Sequence, residues 1–111
     1  WMTEARVVYV TVPSEDVGVS LVTALLEENL VACGNLIAGV RSIYRWEGKV
    51  CDDAEQLLIL KTVSAALSTL KARVVELHPY ACPEIIAIPV TDGHAAYLDW
   101  IGQNVIVPEK R

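Results

Sequence analysis

Residues 6–12, Arg-Val-Val-Tyr-Val-Thr-Val, are mostly β-branched or aromatic and apolar on both faces, which predicts a strand. Pro13 ends it. Ser14 has the chemistry of a helix N-cap, and Glu15 and Asp16 suit the positive end of a helix dipole. The predicted helix runs to Asn29, with Val17, Leu21, Ala24 and Leu25 on one stripe and Leu26 beside it. Ala32 to Lys61 reads as a long hairpin. Its first arm continues through Ser42-Ile43-Tyr44-Arg45-Trp46, and its second includes Leu57-Leu58-Ile59-Leu60. Glu47-Gly48-Lys49 is the expected turn, with Gly48 at a positive φ, while Gly34 and Gly39 are expected to mark bulges or bends. Leu67, Leu70, Val74 and Leu77 form one face of a second helix over Ser64 to Leu77, which His78-Pro79 stops. A rigid loop, His78 to Pro83, leads to a last core strand, Glu84 to Val90. Asp92-Gly93 turns the chain into a short helix holding Tyr97, Leu98, Trp100 and Ile101, and a tail runs from Asn104 to Arg111.

The order is β-α-β-β-α-β-α, which predicts an α+β domain on the ferredoxin-like plan. Right-handed crossovers place both long helices on one face of an antiparallel sheet. The opposite face of such a sheet should be polar, yet Val7-Val8-Tyr9-Val10, Leu57-Leu58-Ile59-Leu60 and Ile85-Ile86-Ala87-Ile88 do not alternate. The second face is therefore expected to pack against sister subunits, because monomers seldom leave so much apolar surface bare. The competing arrangement folds the third helix over that face, but one short helix cannot cover four strands.

Composition sharpens this picture. The 111 residues fit one domain, taken as residues 2–111 with Met2 as the natural start and Trp1 as an extraneous residue. An apolar content of 53% is high for a domain this small and again asks for burial between subunits. No apolar run reaches the length of a membrane span and no secretory leader is visible, so no membrane association is expected. A net charge of −5 argues against nucleic acid. The odd set Cys33, Cys51 and Cys82, with no CxxC, fits neither a disulfide framework nor a zinc knuckle, and the expected compartment is the reducing cytoplasm.

Four segments stand out together. They are Ala32-Cys33-Gly34-Asn35, Ser42-Ile43-Tyr44-Arg45-Trp46-Glu47-Gly48-Lys49, Leu58-Ile59-Leu60-Lys61-Thr62, and His78-Pro79-Tyr80-Ala81-Cys82-Pro83-Glu84-Ile85-Ile86. In this order and spacing the chain resembles the CutA divalent-cation tolerance family over nearly its whole length. The resemblance implies a homotrimer similar in plan to PII signalling proteins, with long β2–β3 hairpins reaching to neighbours and sheets facing inward. It also implies a relation to divalent metals, copper among them, and no organic cofactor. One departure matters: some members carry a copper-ligating cysteine just before T-x-P, where this chain has Val10.

Candidate chemistry gathers around the His78 loop. A neutral His78 imidazole suits Cu(II) or Zn(II); alternatively it caps the helix C-terminus. Glu84 is a candidate metal ligand or the partner of Lys61 or Arg45 in an ion pair between subunits. Cys82 and Glu84, two residues apart on extended chain, would share a face and complete a His/Cys/Glu set. As a motif this set is weak. Cys33, Asn35, Tyr44, Trp46, Lys61 and Tyr80 are expected at a cleft between subunits. There the aromatic residues either wall a site for a small anion or nucleotide or anchor the interface. Cys33 is otherwise a small buried hydrophobe. Cys51 with Asp52, Asp53 and Glu55 reads as a solvated acidic loop or a loose cation site.

Two functions follow: a non-catalytic trimer that binds a divalent cation in metal tolerance, and a PII-like sensor of a small ligand. A structural scaffold with incidental metal association is a third. Other ferredoxin-like activities fit poorly. Pro13-Ser14-Glu15-Asp16 repels the anion an acylphosphatase holds, the sheet lacks the aromatic platform of an RNA-recognition domain, and no nucleophilic triad has workable spacing.

Overall fold

The computed structural model describes residues 3–107, so the expected start at Trp1-Met2 and the last four residues of the tail lie outside the described residues. The elements are β1 (Ala5–Val12), α1 (Glu15–Glu27), β2 (Cys33–Trp46), β3 (Lys49–Val63), α2 (Leu67–Leu77), β4 (Ile86–Pro89) and α3 (Ala95–Asn104), with a 3-10 turn over Ser64–Ala66 leading into α2. The strands form one antiparallel sheet in the order β2-β3-β1-β4, the ferredoxin-like arrangement.

The core lies where the sheet meets α1 and α2. Val8, Val10 and Val12 of β1, with Leu58 and Leu60 of β3, pack against Leu21, Val22 and Leu25 of α1 and Leu70 and Val74 of α2. Helix α1 begins as expected: Ser14 Oγ accepts a hydrogen bond from the Val17 amide at 3.3 Å. It stops two residues before Asn29, which takes a left-handed φ of 58°, and the Leu30 amide donates back to the Leu25 carbonyl. Its buried stripe is rotated from the expected one. Gly18 and Val22 join Leu21 and Leu25, while Leu26 is exposed.

The glycines divide by cause. Glu47 and Gly48 both have positive φ, 49° and 78°, so the hairpin closes through these two residues and Lys49 already pairs with Trp46. Gly39, at φ 78°, sits at the register break between Ile37 and Val40, as expected of a bulge. Gly34 makes no bend. It admits close approach of α1, since a Cβ there would lie 2.8 Å from Val22 Cγ1.

The last strand departs from expectation. β4 covers only Ile86–Pro89 and all four residues are exposed. It is an edge strand beside β1, which tolerates Pro89 because an edge position need not donate an N–H. Ile85, just before it, is the residue that packs on the core.

The other sheet face is apolar yet thinly covered. Ala5 pairs with Val63, Val7 with Lys61, Tyr9 with Ile59 and Thr11 with Leu57, and these rows share the face opposite α1 and α2. Helix α3 covers one end of it: Ile101 and Val105 cluster with Ala5, Ala32 and Ala66, and with Val63 and Leu98. Toward the middle and edges, Ile37, Ile86 and Ile88 remain 44%, 50% and 39% exposed. The third helix thus takes one end of this face and leaves the rest open. No helix among the described residues is long and apolar enough to cross a membrane.

Candidate functional site

The α2–β4 loop is held to the sheet by His78. Its ring is buried at the C-terminus of α2. Nδ1 accepts a hydrogen bond from the Tyr80 amide at 3.1 Å, which leaves the proton on Nε2, and Nε2 donates to the Thr11 carbonyl at 2.8 Å. The imidazole also lies 4.7 Å from the Tyr80 ring, tilted by 52°. Tyr80 in turn donates its hydroxyl to Glu55 Oε2 at 2.8 Å. One continuous set of hydrogen bonds therefore ties strand β1, the loop and the hairpin together. Burial first, then the hydrogen bond to Glu55 and the charges of Glu55 and Asp53, push the Tyr80 hydroxyl up to about 12.

This connection forms one side of a groove of about 780 Å³ between the loop and the outer half of the β2–β3 hairpin. Thr11, Ser42 and Glu55 line it, Tyr44, Trp46 and Tyr80 supply aromatic surface, and Cys82 and Glu84 line it from the loop. The register explains the hairpin's contribution. Val40 pairs with Glu55, Ser42 with Asp53 and Tyr44 with Cys51, so alternate residues of both arms share one face. Tyr44 donates its hydroxyl to Asp53, and that hydrogen bond, more than any other influence, raises the hydroxyl pKa. Arg41 also borders the groove, but its guanidinium grips Asp52 through two hydrogen bonds of 2.9 and 2.6 Å, which holds the Asp52 carboxyl below its ordinary range.

The sequence-derived metal set is only partly assembled. Cys82 and Glu84 are both exposed and both line the groove. His78 is beneath the loop with each ring nitrogen in a hydrogen bond, so ligation there would cost one of them. Among the described residues no three His, Cys, Asp or Glu side chains are grouped closely enough to hold a metal ion. The donors suit copper or zinc in type, but they do not close a site within one chain. Val10, just before Thr11-Val12-Pro13, is fully buried on the helix-covered side of the sheet.

The six expected cleft residues divide into two groups. Tyr44, Trp46 and Tyr80 line the groove. Cys33, Asn35 and Lys61 sit at the other end of the sheet, where Cys33 pairs with Lys61, Lys61 Nζ donates to Asn35 Oδ1, and Cys33 Sγ lies 3.7 Å from the Tyr97 hydroxyl. Among the described residues of this chain no lysine lines the groove, and Lys61 sits at the other end of the sheet within one subunit. Glu84 forms no ion pair with Lys61 or Arg45 within the chain; the pairs among the described residues are Arg41–Asp52, Arg73–Glu28 and Arg73–Glu76. The supposed acidic loop is part of β3. Its alternation sends Asp53 and Glu55 to the Tyr44 face and Asp52 to the other. Glu55 is the residue that sequence reasoning undervalued, and the period-two spacing of positions 51, 53 and 55 was the available signal.

Known proteins resemble this chain throughout. The family model described as CutA1 divalent ion tolerance protein matches residues 6–104. The divalent-cation tolerance protein CutA of Thermus thermophilus is 51% identical over 99 residues, covering 89% of this chain and 96% of that protein. The chloroplastic protein CutA of Arabidopsis thaliana is 46% identical over 95 residues, which is 86% of this chain and 52% of that protein. The chain thus spans about half the length of this plant relative. The crystal structure of CutA1 from Oryza sativa superposes with a TM-score of 0.90 at 42% identity, covering 95% of this chain and 96% of that one. With sequence and fold in agreement from the first strand through the third helix, the chain belongs to the CutA1 divalent ion tolerance family.

Proposed function

We propose that this single-domain chain, residues 2–111, acts without catalysis as a homotrimer that binds a divalent cation, with copper the first candidate, and so contributes to metal tolerance. The observation that carries the reading is the exposed pair Cys82 and Glu84 at a groove of a CutA-family chain. These side chains offer a soft and a hard donor, the combination that suits copper or zinc. Because they do not close a site alone, a neighbouring copy supplies the remaining donors. His78 anchors the loop that presents them. The open apolar sheet face, with Ile37, Ile86 and Ile88 exposed, supports assembly. Three free cysteines suit a reducing cytoplasm. The partners are sister subunits and a metal ion, with no nucleic acid, membrane or organic cofactor.

Calorimetric titration of chelator-stripped protein with Cu(II) and Zn(II) tests the reading. Saturable binding that is lost in Cys82→Ala and Glu84→Ala is expected. Binding unchanged in both variants refutes this site.

A second reading is favoured by the groove itself. At about 780 Å³, walled by Tyr44, Trp46 and Tyr80, it has the size and lining of a small-ligand pocket. In this reading the trimer is a PII-like sensor with Tyr44, Trp46 and Tyr80 at its binding cleft. Cys33, Asn35 and Lys61 belong to the subunit interface beside Tyr97.

A further inference from the structure

The geometry points to a small primary alkylammonium ion as the ligand class of the Tyr44–Trp46–Tyr80 groove, with Glu55 as its counter-charge. The inference rests on the small-ligand reading above and adds to it the sign and shape of the ligand.

The lining of the groove holds a carboxylate that is half used. Glu55 is 8% exposed, and its Oε2 accepts from Tyr80 at 2.8 Å. Its Oε1 has no hydrogen bond among the described residues, yet no side-chain polar atom there is both fully enclosed and unpartnered. That oxygen therefore keeps some contact with solvent, and Glu55 lines the groove. A carboxylate this far from water gains most from a partner with both a positive charge and N–H donors.

The surroundings carry the same sign. Glu84 adds a second carboxylate, and Asp53 stands behind Tyr44. Among the described residues the one basic side chain at the groove, Arg41, is bound to Asp52 and 75% exposed, so it does not neutralise Glu55. Trp46, Tyr44 and Tyr80 line the same groove, and aromatic rings attract a cation and accept an alkyl stem. An anionic ligand would meet Glu55 and Glu84, with no lysine among the described lining residues. A quaternary ammonium would satisfy the rings but could not donate to Glu55 Oε1. A primary ammonium on a short alkyl chain satisfies both.

The test is calorimetric titration of the protein as it assembles in solution, in chelator and without added metal, with n-butylammonium, tetramethylammonium, butyrate and ATP. Saturable binding of n-butylammonium is expected, weaker binding of tetramethylammonium, and none of butyrate or ATP. Glu55→Gln keeps an acceptor for Tyr80 and removes the charge; it should weaken n-butylammonium about tenfold or more. Unchanged sedimentation will establish that the variant still assembles. Trp46→Leu should weaken the same ligand by removing the ring face. The inference is overturned if n-butylammonium does not bind, or if it binds equally to Glu55→Gln. Should that variant fail to assemble, tetramethylammonium or butyrate binding the wild type as tightly as n-butylammonium overturns it. Binding of butyrate or ATP alone would keep the groove as a ligand site and discard its cationic class. Binding of none of the four would discard both.

Discussion

Replacing His78 by alanine removes a side chain that the fold uses at both ring nitrogens. The Tyr80 amide loses its acceptor and the Thr11 carbonyl loses its donor. The ring is 7% exposed, so little water can replace either partner. An orphaned buried polar group costs about 1–3 kcal/mol, and the void left by the ring adds to it, so a loss of about 3–4 kcal/mol is expected. That is a large fraction of the roughly 5–15 kcal/mol stability of a domain. Two conservative variants divide the effect. His78→Asn keeps an acceptor near the Nδ1 position, His78→Gln a donor near Nε2, and each should recover about half of the loss. The assay is urea unfolding of chelator-stripped protein, followed by tryptophan fluorescence at one fixed protomer concentration, because assembly makes the midpoint concentration-dependent. A metal-ligating role without a structural one predicts the reverse pattern, with affinity lost and metal-free stability unchanged. A loss below about 0.5 kcal/mol in metal-free His78→Ala would refute the anchoring argument.

Other consequences follow from the same geometry. Gly34→Ala would place a Cβ 2.8 Å from Val22 Cγ1 and 3.0 Å from Leu60 Cδ2. Val22 is held to one helix rotamer, so overpacking should destabilise by about 1–3 kcal/mol; a midpoint at or above wild type would contradict this. Gly102→Ala in α3 meets nothing within 4 Å and should stabilise by about 0.5–1 kcal/mol in the same assay. Burial, then the hydrogen bond to Glu55, pushes the Tyr80 hydroxyl up to about 12 from its ordinary 10.0. Its folded pKa is raised, so its contribution to stability is complete below pH 10 and disappears as the pH rises through 12. Tyr80→Phe should delete the tyrosinate absorbance step near pH 12 and flatten the stability loss across that window. Loss of a step near pH 10 instead would contradict the assignment. Ser14→Ala should cost about 1 kcal/mol by removing the cap on α1, and an unchanged urea midpoint would count against that cap.

Much of the architecture was legible in local chemistry. Ser14 and the two-faced runs of β1 and β3 carry short-range causes and appear in the fold, whereas the 3-4-3 face appears in part, with Leu70 and Val74 buried, Leu67 partly buried and Leu77 exposed at the end of α2. Features set by tertiary neighbours were harder to read. Gly34 resembles a bend residue in sequence, but its cause is Val22 on another element. Ile86 to Pro89 has a core-like composition, yet its place at the sheet edge leaves it exposed. The candidate site was half legible. The aromatic residues Tyr44, Trp46 and Tyr80 converge within one chain because the hairpin and the loop meet. The expected cleft between subunits groups Lys61 with Tyr80, while within one chain β3 is long enough to carry Lys61 to the far end of the sheet. Glu55 does not stand out from its acidic run in sequence, because such a run reads as solvated loop until strand register assigns its alternate residues to opposite faces.

The most direct measurement compares Cu(II) titration of the chelator-stripped wild type with that of Ile59→Lys, each with its sedimentation. Ile59 lies mid-sheet on the open face, paired with Tyr9 and Asn35. A charge there should split the assembly while leaving Cys82 and Glu84 in place. The account predicts that wild type sediments as a trimer and binds copper saturably, and that Ile59→Lys sediments as a folded monomer and binds far more weakly. A monomeric variant that binds copper as tightly as wild type, or a wild type that is monomeric at micromolar concentration, would contradict it.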